Sequence, residues 1–538
     1  MVRSSYPDVD IPRATVYDYL FGSLTDADRH RTAMVDAATG AATRYGELVD
    51  RINAVAAELA RRGVKPGDVV GLHCPNSTAF AIVFHGALRA GATVTPINSL
   101  YTADEIARQL ADCSATWLFS ASALADAAAE AADTAGIPWQ FAAQLVEESI
   151  AAAASSSGAG AGGARAPGLD IDPATHLAVL PYSSGTTGLP KGVMLSHRNL
   201  VANVVQCEAL IGLERDDRVL AVLPFFHIYG LTVLLNFALS ARAQLVTLPR
   251  FELEPFLDAI GKNECTWVFI APPIAVALAK HPLVDRYDTS SVKVIFSGAA
   301  PLDGALATAV ARRLDCKVRQ GYGMTELSPV SHAVPASRDD LPMRSVGLAL
   351  PNMECRLVHP GSGADIPVPA TGTSRPGELL CRGPNVMLGY LNNPEATAEA
   401  IDADGWLRTG DIATVSAEGV YAIVDRLKEL IKYKGYQVAP AVLEAVLLGH
   451  PRIADAAVIG IPDDDGQEVP KAFVVLQADA ALTGDEVMDY VSARVAPHEK
   501  VRRVEFIDAI PKSTSGKILR KDLRASERVS AAEPTLRA

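Results

Sequence analysis

Apolar side chains recur every third or fourth position from Tyr45 to Arg62, a period that predicts one amphipathic helix. The turn Gly63-Val64-Lys65-Pro66-Gly67-Asp68 stops it, and Val69-Val70-Gly71-Leu72 reads as a strand. Ala79 to Arg89 returns to the helical period and Ala92 to Pro96 to a strand. This alternation predicts a mostly parallel sheet with helices on both faces, and the rhythm recurs between Val219 and Phe296. There, Val219 to Leu223 is a buried strand closed by Pro224, Phe225 to Gly230 is a turn, and Leu231 to Leu239 is a buried helix. The stretch from Val219 to Ser240 carries no formal charge and resembles a membrane span, but Pro224, His227, Tyr229 and Asn236 argue against one.

The pattern changes further along. Ala121 to Ala166 is alanine-rich and collapses into an Ala/Ser/Gly tract, which buries too little apolar surface to offset its ordering entropy; a mobile surface loop is expected over about 151–167. Short strands punctuated by Gly and Pro from Val346 to Val424 predict a small β-barrel or sandwich. Asp425 then opens a domain-sized last segment with helices at Ala439 to Leu448 and Gly484 to Val495 and strands at Ala456 to Gly460 and Ala472 to Leu476. The expected fold class is α/β multidomain: a large N-terminal domain of two βα-layered sheets plus the small barrel, then a small, mobile α+β C-terminal domain.

With 538 residues the chain exceeds what one core serves, and 49% hydrophobic with 21% charged residues is an ordinary globular balance. A formal net charge of −13 disfavours nucleic-acid binding and polybasic membrane attachment. The seven cysteines are scattered, without Cys-x-x-Cys spacing, so neither a zinc site nor a disulfide framework is indicated and reduced core thiols are expected. Neither end carries an export or retention signal, which makes cytoplasmic residence the expectation.

Candidate chemistry sits in islands. Ser183-Ser184-Gly185-Thr186-Thr187-Gly188-Leu189-Pro190-Lys191-Gly192 packs hydroxyls, glycines and a lysine into one loop after an apolar run, which suits a phosphate. Its spacing is not that of the P-loop. Gln320-Gly321-Tyr322-Gly323-Met324-Thr325-Glu326 offers an aromatic face for a purine, a hydroxyl for a phosphate oxygen and a carboxylate for Mg²⁺. Trp406-Leu407-Arg408-Thr409-Gly410-Asp411 ends in a carboxylate on a glycine turn, able to accept both ribose hydroxyl protons. Near the end, Ser513-Thr514-Ser515-Gly516-Lys517 presents a lysine on a flexible turn.

In this order the islands resemble the adenylate-forming superfamily of acyl-coenzyme A synthetases, luciferases and peptide-synthetase adenylation domains, from about residue 30 to residue 524. Ser183 to Val193, Gly377-Glu378-Leu379-Leu380-Cys381-Arg382-Gly383 and Val424 to Pro440 look most like 4-coumarate–coenzyme A ligases and bacterial cinnamate-activating relatives. The resemblance implies a two-step reaction. A carboxylate attacks the α-phosphorus of Mg-ATP, leaving an acyl adenylate and pyrophosphate; the coenzyme A thiol then displaces AMP. It also implies domains at 1–424 and 425–538 that rotate between half-reactions about Asp425.

Roles follow from the same matching. Lys517 would stabilise charge on the α-phosphoryl group. Ser183, Ser184, Gly185, Thr186, Thr187, Gly188 and Lys191 would hold the outer phosphates, and Glu326 with Thr187 the magnesium. Ala299, Gln320, Gly321, Tyr322 and Thr325 would line the AMP site, with Asp411 on ribose and Arg426, Lys428 and Lys432 closing over AMP. His227, Tyr229, Phe296, Ser297, Gly298, Gly323, Pro329 and Val330 would face the acyl group. Arg250, Lys434 and Gly435 would meet coenzyme A, with Lys434 and Gln437 also counted among catalytic candidates. Phe296 stands where plant relatives place a lysine, Ser331 where they have an aliphatic residue, and Arg250 where they have a lysine. These departures leave a cinnamate or an alkyl acid open.

The expected partners are a small carboxylic acid, ATP, Mg²⁺ and coenzyme A, with no nucleic acid, no stable membrane insertion and a monomeric or homodimeric chain. The rivals are a medium- or long-chain fatty acyl-coenzyme A ligase, an acyl-AMP ligase, whose rotation-blocking insertion is not seen, and a non-catalytic nucleotide-binding protein. The last would be expected to lose Lys517 or Glu326, and both are present.

Overall fold

The computed structural model of the chain describes residues 2–156, 166, 168–183, 190–433, 436–463, 468–478, 480–513 and 516–532. The alternating patterns fold into two packed sheets. In the first, Trp139–Phe141, Ala115–Ser120, Val69–His73, Thr93–Pro96 and Leu177–Val179 run parallel, and Lys191–Ser196 and Gly389–Tyr390 extend the edge antiparallel. In the second, Thr32–Asp36, Gln244–Thr247, Arg218–Ala221, Trp267–Ile270, Val294–Ser297 and Lys317–Gly323 run parallel before Val330–Ala333 turns back.

Helices Tyr45–Arg61 and Thr78–Arg89 pack on each other at the centre of the large core. Ser77 caps the second, its Oγ accepting the Phe80 N–H at 3.1 Å, a contact that contributes about 1 kcal/mol. Gly86 lets the two helices meet: a Cβ there would stand 2.6 Å from Val55 Cγ1. Where the layers join, Asn76 donates from Nδ2 to the carbonyls of Ala221 and Leu223 at 3.1 and 2.9 Å and accepts the Phe225 N–H at 2.7 Å. One buried amide thereby fixes the loop that leads to His227. Removing one partner of such a buried set costs about 1–3 kcal/mol.

Three local expectations change. The helix anticipated at Leu231 to Leu239 is a π-helix, Tyr229–Asn236, continued by the α-turn Phe237–Ser240, a widening found often at functional sites. Its entry is steric, since a Cβ on Gly230 would lie 2.0 Å from the Pro224 carbonyl oxygen. Ala151 to Ser156, expected to open a loop, instead extend the helix Ala142–Ser156, as alanine's helix preference favours; nearly all of the tract beyond lies outside the described residues. The β-rich stretch is an open sheet among the described residues, not a closed barrel: Val2–Arg3, Glu354–Val358, Gly377–Arg382, Leu407–Val415 and Tyr421–Arg426 pair in that order, with Asp365–Ile366 on one side.

The smaller C-terminal domain pairs Ile453–Pro462 with Glu468–Leu476 antiparallel and adds Arg503–Phe506 parallel. Helices Pro440–Leu448 and Gly484–Ser492 cover it, and Leu443, Leu447, Ile453, Val458, Val474 and Val491 form a core separate from the large one. No helix among the described residues is long and apolar enough to cross a membrane.

Candidate active site

The strand Lys317–Gly323 carries the second island, and the strand Leu407–Val415 brings the third to meet it. Asp411 was expected on a turn; it lies inside that strand, at a bulge around Gly410, whose φ is +69°. Tyr322 donates its hydroxyl to Asp411 Oδ2 at 2.6 Å, and Arg426, the cross-strand neighbour, holds Nε 3.6 Å from Oδ1. Burial and the Asp411 carboxylate push the Tyr322 phenol well above its ordinary value, so it stays a donor. Two sheets thus present one buried anion beside an aromatic ring.

Glu326 gathers the first island. Its Oε1 accepts the Ser183 hydroxyl at 3.2 Å and the Tyr390 hydroxyl at 2.9 Å. Ser183 and Lys191 face each other across a short antiparallel pairing, and Lys191 places Nζ 4.9 Å from the Tyr390 ring centre. Oε2 of Glu326 takes no hydrogen bond from the described residues. A single carboxylate beside a phosphate-suited loop fits Mg²⁺, which is commonly held by one carboxylate, substrate phosphates and water.

Lys517 reaches this site from the C-terminal domain. Its turn is closed by the Ser513 N–H bonding to the Lys517 carbonyl at 2.8 Å and the Lys517 N–H bonding to Ser513 Oγ at 3.2 Å. Burial first, then the Arg426 guanidinium, lowers its ammonium to about 8, while Asp411, Glu326 and Glu429 pull it upward. Asp411 and Glu326, the carboxylates of the nucleotide candidates, are thus within electrostatic reach of the lysine. Burial and the Lys517 charge together lower the His227 imidazole to about 4, so that ring is neutral at pH 7.

On the side expected for the acyl group, Tyr229 donates to the Phe296 carbonyl at 3.3 Å, and burial raises its phenol well above the ordinary range. Gly298 passes under the Tyr229 ring, where a Cβ would stand 2.9 Å from ring carbons. Ala299 follows in the left-handed region at φ +69°, a strain of about 1–2 kcal/mol of the kind that clusters at ligand sites. Phe296 packs its ring 5.5 Å from that of Phe269, and Gly321 would strike the Phe296 ring if it bore a Cβ. Pro329 and Val330 close against Gly323, whose Cβ position lies 2.1 Å from the Pro329 carbonyl oxygen.

Residues 25–391 match the AMP-binding enzyme family and residues 442–517 the AMP-binding enzyme C-terminal domain. The chain belongs to the AMP-binding enzyme family. It is 43% identical over 532 residues to 4-coumarate–CoA ligase 5 of Oryza sativa subsp. japonica, covering 97% of this chain and 96% of that one. Against 4-coumarate–CoA ligase 1 of Solanum tuberosum the identity is 40%, with 97% and 96% covered. Among solved structures, ATP-bound MatB from Rhodopseudomonas palustris superposes with a TM-score of 0.84 at 29% identity, covering 96% of this chain and 99% of that one. Ligases of this family activate an acid as acyl-AMP and transfer the acyl group to coenzyme A, and this chain is an AMP-forming acyl-CoA ligase using ATP, Mg²⁺ and coenzyme A.

The remaining candidates are placed as follows. Gln320 turns its amide inward, accepting the Leu302 N–H and donating to the Leu302 carbonyl at 3.0 Å each and to the Met343 carbonyl, which props the wall. Arg250 is exposed and paired with Glu252 at 2.5 Å. Lys428 and Lys432 are also exposed, the latter's N–H bonding Glu468 Oε2 at 2.7 Å. Thr325 begins the turn Thr325–Leu327 next to Glu326. Ser184, Gly185, Thr186, Thr187, Gly188, Lys434 and Gly435 lie outside the described residues, as does the Gln437 side chain. Tyr390 was missed. Its aromatic on the short strand Gly389–Tyr390 before Asn393-Pro394 is a local signal, but nothing local links it to Glu326, 64 positions away.

Proposed function

We propose that the acid activated here is of the cinnamate or 4-coumarate type, and that the residues around Asp411 and Glu326 perform the adenylation. Supporting the substrate reading are the two 4-coumarate–CoA ligase relatives and a wall built from Tyr229, Phe296, Gly298, Pro329 and Val330. One observation supports the mechanism: Lys517, carried by the C-terminal segment, is buried and within the electrostatic influence of Asp411 and Glu326.

In this reading Asp411 accepts the ribose hydroxyls, Tyr322 with Gly321 and Ala299 flanks the adenine, and Ser183 to Lys191 cradle the outer phosphates. Glu326 would hold Mg²⁺, which supplies charge neutralisation of the phosphates. The carboxylate then attacks the α-phosphorus, and Lys517 meets the negative charge that grows on its oxygens, a stabilisation larger in the transition state than in the ground state. Neutral His227 and Tyr229 shape the approach of the acid. Lys434, Gly435 and Gln437 are assigned to the thiol half-reaction, reached by rotation of residues 425–538 about Asp425. That carboxylate is buried and accepts the Ala441 N–H at 2.8 Å, so it links the sheet to the start of the helix Pro440–Leu448. We place the enzyme in the cytoplasm.

ATP–pyrophosphate exchange across cinnamates, benzoates and alkanoates, with and without coenzyme A, tests the reading. Exchange with cinnamates is expected. Exchange restricted to alkanoates would replace the substrate by a fatty acid, which Phe296 also suits; no exchange with any acid would remove the adenylation assignment.

A further inference from the structure

The arrangement that brings Lys517 to the site has to be held by something, and one helix of the large domain touches the small one at both of its ends. Pro272–Lys280 begins where Ala271 and Pro273 meet Gly516, the residue before Lys517; a Cβ on Gly516 would lie 3.1 Å from Ala271 Cβ and 3.2 Å from Pro273 Cδ. Gly516 has φ +81°, so any other residue is strained there as well as crowded.

At the other end of the same helix, Lys280 extends Nζ into the small domain. It donates to the Leu448 carbonyl at 2.8 Å and to the Ile453 carbonyl at 3.0 Å. Leu448 is the last residue of Pro440–Leu448, where carbonyls lack partners within the helix and the helix end carries partial negative charge. The neighbouring end carbonyls of Ala445, Val446 and Leu447 are bonded to N–H groups of Gly449 and His450. Lys280 completes the set from another domain. Its ammonium is half-buried and lies within the influence of Asp455.

We propose that Lys280 is a positioning residue for adenylation, a latch that holds the C-terminal domain in the orientation where Lys517 faces Asp411 and Glu326. The two contact points lie about 12 Å apart along the helix axis, so together they fix a rotation that either one alone leaves free. Because the grip is on two carbonyls, it is lost when the domain turns away to admit the thiol. The inference rests on the reading that this orientation serves the first half-reaction.

The test compares Lys280→Met, Lys280→Arg and Lys517→Ala in the full-length enzyme. Acid-dependent ATP–pyrophosphate exchange reads the first half-reaction, and thioester formation from preformed acyl-AMP reads the second. Lys280→Met is expected to slow exchange about ten-fold, the effect of losing one charged hydrogen-bonding group, while leaving thioester formation at or above the wild-type rate. Lys280→Arg is expected to restore exchange. Equal slowing of both half-reactions by Lys280→Met, or no effect on either, would overturn the latch. If Lys517→Ala kept full exchange, the adenylation orientation itself would be wrong and the latch with it; loss of exchange in Lys517→Ala with none in Lys280→Met would sink the latch alone.

Discussion

The wall of the site and the cap that closes on it are built to different rules. In the wall, several polar groups are already paired: Tyr322 with Asp411, Ser183 and Tyr390 with Glu326, Tyr229 with the Phe296 carbonyl. These residues come from sheets sharing one large core, so their geometry is set before any ligand arrives. The cap has its own small core and presents Lys517 on a turn of five residues. In the proposed reading the anions are prebuilt, and the compensating cation is delivered. A permanently fixed lysine would serve adenylation but would hold the thiol out, whereas a docked one can leave.

Removing the delivered charge should break this contrast most sharply. Lys517→Ala is expected to cut adenylation about 10²–10³-fold, as loss of one preorganised donor does, while thioester formation from supplied acyl-AMP continues. Pyrophosphate exchange and single-turnover thioester assays check the two halves. Loss of both would mean the cap is catalytically indivisible.

A smaller effect comes from pH. Lys517 is charged below about 8, so kcat/KM for ATP, which reports the free enzyme, is expected to be flat below that point and to fall about ten-fold per pH unit above it. In Lys517→Arg this fall should vanish from the accessible range, since a guanidinium keeps its charge. An unchanged profile in that variant would assign the titration elsewhere.

The smallest effect belongs to the wall. Tyr390→Phe removes one of two hydroxyls on Glu326 Oε1 and keeps the ring under Lys191; a loss of about 1 kcal/mol, roughly five-fold in KM for Mg-ATP, is expected. A hundred-fold loss would show that the wall depends on Tyr390 as strongly as the site depends on its cap.

Much of the site could be read from the chain because a nucleotide is recognised by short contiguous stretches. Gly, Ser and Thr around a phosphate, or Tyr322 with Glu326 next to a strand end, must be close in sequence since the backbone itself forms part of the cradle. The strands and helices were readable for the same local reason, as at Tyr45–Arg61 and Thr78–Arg89. What escaped depended on distant partners. Nothing near Gln320 in the chain signals that Leu302 and Met343 hold its amide. Nothing in the order of residues signals Lys280 against Leu448 and Ile453.

Period, turn residues and clustered hydroxyls were enough to state the chemistry and the layered fold, because each depends on neighbours a few positions apart. Which carboxylate pairs with which hydroxyl depended on packing between segments 64 to 143 residues apart. Burial and charge, which set the His227 and Lys517 ammonium equilibria, exist only once those segments meet.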